Sequence, residues 1–248
     1  TDYPEATLKL VAGDINRAAP QPQMMRAMEM GSRSSKMAAD VMQESLAAFH
    51  LYAIEKPVTL ADRQTKQLAL LSANSIVVDT DLVSRSDVFT ARGPMLGQQR
   101  SSQATRSLVF ENSDEEGLGT PLPAGTVRVY GQDSSGALQL LGEDGVGHTP
   151  TGQDVQFTLG RDFDVTVVRE QLEFLRASDR ITITSNRITV SNGKDLPETV
   201  RLVEGLQGDW EIVEESAPHS KVLGEAEWTV EVPAGGEVQV EYRVRVRF

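Results

Sequence analysis

Three histidines, His50, His148 and His219, are the chain's only imidazoles for metal binding or proton transfer near neutral pH. None is read with a second His or a carboxylate at helical ligand spacing, so each is expected to be a turn or surface residue. The stretch Gly142-Glu143-Asp144-Gly145-Val146-Gly147-His148 has the glycine density of a phosphate cradle. It lacks the helix start that makes such loops bind anions, and its two carboxylates would repel phosphate, so it reads as a hairpin connection. The run Asp114-Glu115-Glu116, and Asp162 with Asp164 on one strand face, carry oxygens suited to a hard cation such as calcium. No EF-hand spacing accompanies them, and such runs usually form solvated loops. Trp210 and Trp228 are the two indoles that could stack on a sugar ring, but in a β module they read first as core or hairpin-packing residues. Carboxylate pairs for glycoside hydrolysis are set by the fold rather than by local spacing, and no Gly-x-Ser-x-Gly elbow occurs. No catalytic, cofactor-binding or metal-ligating residue is therefore assigned, and no cofactor is expected.

Composition narrows the partners. With 36 Asp and Glu against 24 Lys and Arg, the net charge of −12 repels phosphate backbones, so neither nucleic acid nor an anionic membrane surface is expected. No apolar run reaches the ~18 residues of a membrane span, and no transmembrane segment is expected. The absence of cysteine removes disulfides, thiolate nucleophiles and Cys-ligated metals. The chain opens with Thr1-Asp2-Tyr3-Pro4 rather than Met, which reads as a processed or truncated product whose export signal would lie upstream.

The elements that would position any site read as strands. A short strand over residues 6–15 places Leu8 and Leu10 on one side and Lys9 on the other, and it needs a sheet to join. Residues 18–47 hold six of the seven methionines, with Pro20, Pro22 and Gly31 interrupting any long pattern. A flexible linker, helical only weakly over 35–46, is expected there; a Met-rich patch recruiting an apolar partner is the alternative. From 48 to 170, short apolar runs (Leu68 and Leu70, Ile76 to Val78, Leu108 to Phe110, Val127 and Val129, Leu138 to Leu141, Val155 to Leu159, and Phe163, Val165 and Val167) alternate with Gly-, Pro- and Asp-rich turns, while 91–104 is expected to loop out. From 171 to 248, Ile181 and Ile183, Ile188 and Val190, Val200 and Leu202, Trp210 and Ile212, and Trp228, Val230 and Val232 alternate. About seven strands in so short a segment fit an immunoglobulin-like sandwich. The expected fold is all-β: two antiparallel β-sandwich-like domains, 48–170 and 171–248, the latter immunoglobulin-like, preceded by the strand of 1–17 and the Met-rich insert of 18–47.

Several passages resemble the bacterial family called domain of unknown function 4139, which includes mucoidy-inhibitor-like proteins. They are Phe49-His50-Leu51-Tyr52, Lys56-Pro57-Val58-Thr59-Leu60, Thr65-Lys66-Gln67, and Leu122-Pro123-Ala124-Gly125-Thr126-Val127-Arg128-Val129-Tyr130. Leu141-Gly142-Glu143-Asp144, His148-Thr149-Pro150, Gly160-Arg161-Asp162-Phe163-Asp164-Val165, Gly208-Asp209-Trp210-Glu211 and Val232-Pro233-Ala234-Gly235-Gly236 continue the likeness. The resemblance spans roughly residue 48 to the end and lies in turn and strand signatures rather than chemical motifs. It implies the C-terminal portion of a longer, exported, periplasmic or envelope protein, and it carries no catalytic residue. The primary expectation is thus a non-enzymatic interaction or scaffolding module with a protein or envelope glycan partner and self-association through edge strands. The alternative is an envelope carbohydrate-active enzyme or glycan binder using loop carboxylates and Trp210 or Trp228.

The last two strands give the most specific structural expectation. Val238, Val240, Tyr242, Val244, Val246 and Phe248 take one face, and Gln239, Glu241, Arg243, Arg245 and Arg247 the other. Pairing Val232 with Val238 across Pro233-Ala234-Gly235-Gly236-Glu237 would set Trp228 opposite Tyr242 and Glu227 opposite Arg243. Cross-strand opposite charges, worth ~0.2–1 kcal/mol each, favour that register over one that sets Glu227 against Glu241.

Overall fold

Apolar side chains recurring every second residue need a facing surface to bury them. How that surface is supplied is seen in a computed structural model, which describes residues 2–12, 44–46, 49–54, 57–87 and 93–248. Most of the Met-rich segment, over 13–43, lies outside the described residues. Among the described residues the chain is all-β, without a helix, and no helix is long and apolar enough to cross a membrane.

The chain divides into two compact units. One comprises Thr1–Ile76, Asn112–Gly125 and Val146–Gln153. Its strands are β1 (Tyr3–Ala6), β2 (Lys9–Ala12), β3 (Glu44–Leu46), β4 (Phe49–Ala53) and β5 (Val58–Leu60), arranged as two small sheets, β1–β5 and β2–β4–β3. Glu44 to Leu46, expected to end a weak helix, are thus extended. Leu68 to Val78, expected to supply strands, form none. Asn112 is fully buried here, and its amide donates to the carbonyls of Thr120 at 3.0 Å and Pro150 at 3.2 Å, holding two turns together.

The other unit carries β6 (Asp79–Ser86), β7 (Gln99–Glu111), β8 (Gly125–Gln132), β9 (Leu138–Val146), β10 (Asp154–Ser178), β11 (Ile181–Asn192), β12 (Glu198–Glu204), β13 (Asp209–Glu215), β14 (Ser220–Val222), β15 (Glu225–Val232) and β16 (Glu237–Arg247). Nine of them form one mixed sheet in the order β13-β16-β11-β10-β7-β6-β12-β15-β14, and β8 and β9 form a separate ribbon. The β6–β12 pair is parallel, so the expectation of purely antiparallel sheets is corrected. Residues 99–104, expected to loop out, begin β7, and the expected domain boundary at 170/171 falls inside the single strand β10.

β15 and β16 are not hairpin partners. β15 pairs with β12 and β14, whereas β16 pairs with β11 and β13, near opposite ends of the strand order. Glu227 therefore faces Val203 and Ser220 rather than Arg243. The sheet instead folds over, so that the inner faces of β15 and β16 share one core with Leu82, Val165, Val167, Ile188 and Leu202. Trp228 and Tyr242 do turn inward as their parity requires, with ring centroids 4.8 Å apart. The arginines turn outward, where Arg243 meets Glu173 at 3.2 Å and Arg245 meets Glu211 at 2.5 Å. The Pro233-Ala234-Gly235-Gly236 turn thus carries the chain from one half of the folded sheet to the other.

Trp228 is 1% exposed. We expect Trp228→Ala to cost about 3–5 kcal/mol, the range for emptying a buried aromatic site. Glu227→Ala, which removes a partner of the more exposed Arg201, is expected to cost no more than about 1 kcal/mol. Urea unfolding of both variants checks the contrast.

Candidate functional site

β10 is long enough to pair with both ends of β7, but its register shifts twice, between Thr158 and Gly160 and between Arg161 and Thr166. Arg161 faces Thr105 and Thr166 faces Gln103, so residues 162–165 lie against Ala104 alone. Gly160, at φ +139°, supplies the backbone freedom at the start of this bulge. Asp162 points inward from it. Its Oδ2 accepts from Arg106 Nε at 2.9 Å and Lys194 Nζ at 2.6 Å, and its Oδ1 accepts from the Asp164 amide at 3.1 Å. Glu198 closes the network, accepting from Arg106 Nη2 at 2.7 Å and Lys194 Nζ at 2.8 Å. Burial works to raise both carboxyls, but the hydrogen bonds from Lys194 and Arg106 outweigh it and hold them below their ordinary values.

This arrangement corrects two expectations. Asp162 and Asp164, read as sharing one strand face, do not: Asp162 is buried against two cations while Asp164 is exposed. Phe163, read in one apolar alternation with Val165 and Val167, is 84% exposed at the bulge apex, whereas the two valines are fully buried.

A second polar cluster lies in the interior of the folded sheet. Arg169 Nε donates to Glu204 Oε1 at 2.5 Å, and its Nη1 and Nη2 donate to the hydroxyl and carbonyl of Ser84, each at 2.9 Å. Tyr242 donates its hydroxyl to Glu204 Oε2 at 3.4 Å. Burial raises the Glu204 carboxyl against the pull of Arg169, and burial and the Glu204 charge raise the Tyr242 phenol well above its ordinary value. A cavity of about 20 Å³ adjoins the cluster, bounded by Met95, Gln98, Gln171 and Asn186, and it has room for roughly one water. Gln171 accepts from the Met95 amide at 2.5 Å and so ties the segment before β7 to this site. With every polar atom of the pair engaged and so little free volume, the cluster braces the interior.

The remaining candidates disperse. His50 lies on β4, opposite Ala12 and Ser45. His148 accepts from the Ala124 amide through Nδ1 at 3.2 Å. Asp144 accepts from the amides of Gly145 and Thr158, and a side chain at Gly142 would come within 2.8 Å of the Leu159 backbone, so this stretch is packed strand rather than an anion cradle. Asp114 to Glu116 lie in a turn closed by the Gly117 amide on the Asp114 carbonyl. No group of three or more His, Asp or Glu converges on a metal position among the described residues.

Trp210 is 7% exposed and, like Trp228, offers no stacking face. Its indole donates to the Gly224 carbonyl at 3.0 Å, and that of Trp228 donates to the Ala217 carbonyl at 3.1 Å. His219 sits between the two rings at 6.0 and 5.9 Å, with Nδ1 2.8 Å from Glu215 Oε2. Glu215 precedes His219 by four residues, so this histidine does have a carboxylate at the spacing where the sequence reading found none.

Large apolar side chains are exposed on the β8–β9 ribbon instead. Leu138 is 66% exposed, and Tyr130, Leu140 and Leu141 are each more than half exposed. Arg128 and Glu143 pair at 2.5 Å across the ribbon. At its tip Asp133 accepts from the Ser135 hydroxyl, the Gln139 amide group and the Ser135 and Ala137 backbone, which together hold its carboxyl down at about 2. The ribbon is therefore an organised element whose apolar side chains lack cover within the described residues.

No family model matches the chain, and no curated protein or solved structure matches it.

Lowered carboxyl values at Asp162 and Glu198 mean that the unfolded chain takes up protons before the folded one does. Their contribution is complete above the ordinary values of 3.8 and 4.5 and is lost as pH falls through the lowered values. Asp162→Asn should cost about 2–3 kcal/mol at neutral pH, somewhat under the usual loss for breaking a buried pair because both cations are partly exposed. The difference from the unsubstituted protein should narrow as urea unfolding is repeated at pH values below about 4.

Proposed function

We propose that the chain is a non-enzymatic protein-interaction module of the bacterial cell envelope, with the β8–β9 ribbon as its contact element. The observation that carries this reading is the exposure of Tyr130, Leu138, Leu140 and Leu141 on one ordered ribbon. Large apolar groups gathered on a folded surface favour association, because covering them releases water without first ordering the chain. The envelope assignment, export, and membership of the domain of unknown function 4139 family rest on the turn and strand passages that resemble that family. The nine-stranded sheet, with β15 and β16 facing across one core, supports reading this unit as a sandwich of immunoglobulin-like kind.

The contact element is testable in cells. A photoreactive amino acid at Leu140 should give discrete protein adducts in an envelope fraction, while the same group at the exposed Glu231 should not. Leu138→Ser should reduce the adduct by about ten-fold without changing the unfolding midpoint, as removal of a central apolar contact does. Equal labelling from positions 140 and 231 would reject the ribbon as the contact element.

A further inference from the structure

Three turns meet beside the β10 bulge, and one buried amide organises them. Asn192 is 2% exposed. Its Nδ2 donates to the carbonyl of Leu196 at 2.8 Å and to those of Val232 and Pro233 at 3.3 Å, and its Oδ1 accepts from the Lys194 amide at 3.0 Å. Backbone bonds complete the platform: Gly193 donates to Asp164 at 2.8 Å, Gly235 to Lys194 at 2.9 Å, and Asn192 to Gly236 at 2.9 Å. The Asp162 network fixes the bulge to the same turn through Lys194. Phe163, 84% exposed, is carried by the bulge tied to this platform through Gly193, and Leu196, 72% exposed, by the turn whose carbonyl Asn192 binds; Pro197, Pro233 and Ala234 are also exposed.

We infer that Phe163 and Leu196 form a rigid two-pronged anchor that docks into an apolar pocket rimmed by basic side chains on a partner protein. Rigidity is the first argument. An anchor held by Asn192 and Asp162 loses little conformational freedom on binding, so more of the contact energy appears as affinity. Charge is the second. Asp164 and Asp195 adjoin the two prongs in sequence, Glu237 pairs with Ser191 beside the same turns, and all three are exposed, while Lys194 and Arg106 are engaged with Asp162 and Glu198, leaving Arg161 as the exposed cation of the bulge. The rim therefore complements Lys and Arg on a partner. It would be repelled by an anionic lipid surface, and a second copy of a chain of net charge −12 would bring the same carboxylates against it. This surface is independent of the β8–β9 ribbon, so either can fail without the other.

The test places a photoreactive phenylalanine analogue at position 163 of the full chain in its native cells and identifies the crosslinked peptide by mass spectrometry. The expected product is one discrete protein adduct whose peptide is apolar and flanked by Lys or Arg. Leu196→Ser, and separately Asp164→Lys with Asp195→Lys, should each reduce it by about ten-fold, as expected for a central anchor and a complementary rim. Because all three positions are exposed, unchanged unfolding midpoints separate loss of docking from loss of fold. Absence of a discrete adduct, adducts to lipid or to this chain itself, an acidic crosslinked peptide, or indifference to the charge reversal would each overturn the proposal.

Discussion

The structure depends on burying the even-numbered side chains of β16 against those of β15 without pairing the two strands. Each strand is apolar on one face only, so neither is stable unless a second layer covers that face. The chain supplies the layer by folding its own sheet, and Trp228 against Tyr242 marks where the halves meet. Outward positions are then free to be charged, and Arg187, Arg201, Arg243 and Arg245 each find a carboxylate on the outer faces. Such exposed pairs contribute little individually, about 0–1 kcal/mol. They do keep unlike charges adjacent along strands that must lie side by side.

Folding the sheet over has a cost at the edges, since among the described residues β13 and β14 each leave one side without a ladder partner. Exposed edges invite pairing with other chains. Here side chains span the gap: His219 fills the space between Trp210 and Trp228, and the Lys221 ammonium lies 4.1 Å from the centre of the Trp210 ring. Residues 216–219, which link the two edge strands, hold them at a short distance. The edges are thus joined by packing and by indole hydrogen bonds rather than by backbone pairing.

Parity was legible in the sequence because it is local. The inward turn of Trp228 and Tyr242 and the outward arginines follow from period-two alternation, and so does the all-β class. Pairing was not legible, because Pro233-Ala234-Gly235-Gly236 announces a turn without stating whether the strands it joins lie side by side or face to face. The same limit governs β11: Ile181 and Ile183 read as one apolar alternation, yet unbroken pairing with β16 sets Thr182, Thr184 and Asn186 inward in phase with Ile188 and Val190. Phe163 was misplaced because alternation fails at a bulge, and the bulge is required by the register shifts between β7 and β10, which no local pattern encodes. The Asp162 and Arg169 clusters were hidden for the same reason: apart from Lys194 and Glu198, four residues apart, the bonds that assemble them join residues 32 to 92 positions apart.

Those two clusters show how the same chemistry serves different ends. Arg169 and Glu204 face each other in the interior, where desolvation disfavours charge, and they are sustained by Ser84 and Tyr242 satisfying the remaining donors and acceptors. Asp162 sits nearer the surface and binds two cations, so its ionised form is favoured and its charge is neutralised locally. A bulge that would otherwise be free to rearrange is thereby fixed by hydrogen bonds and charge pairing that outweigh the desolvation of its carboxylates. The aromatic ring at its apex is left in water by the same constraint, because the backbone that would have turned Phe163 inward is committed to placing Asp162 there. An exposed Phe on a mobile loop would be a folding compromise; on a backbone held by an ion network and by Asn192, it is a surface whose shape is set before any partner arrives.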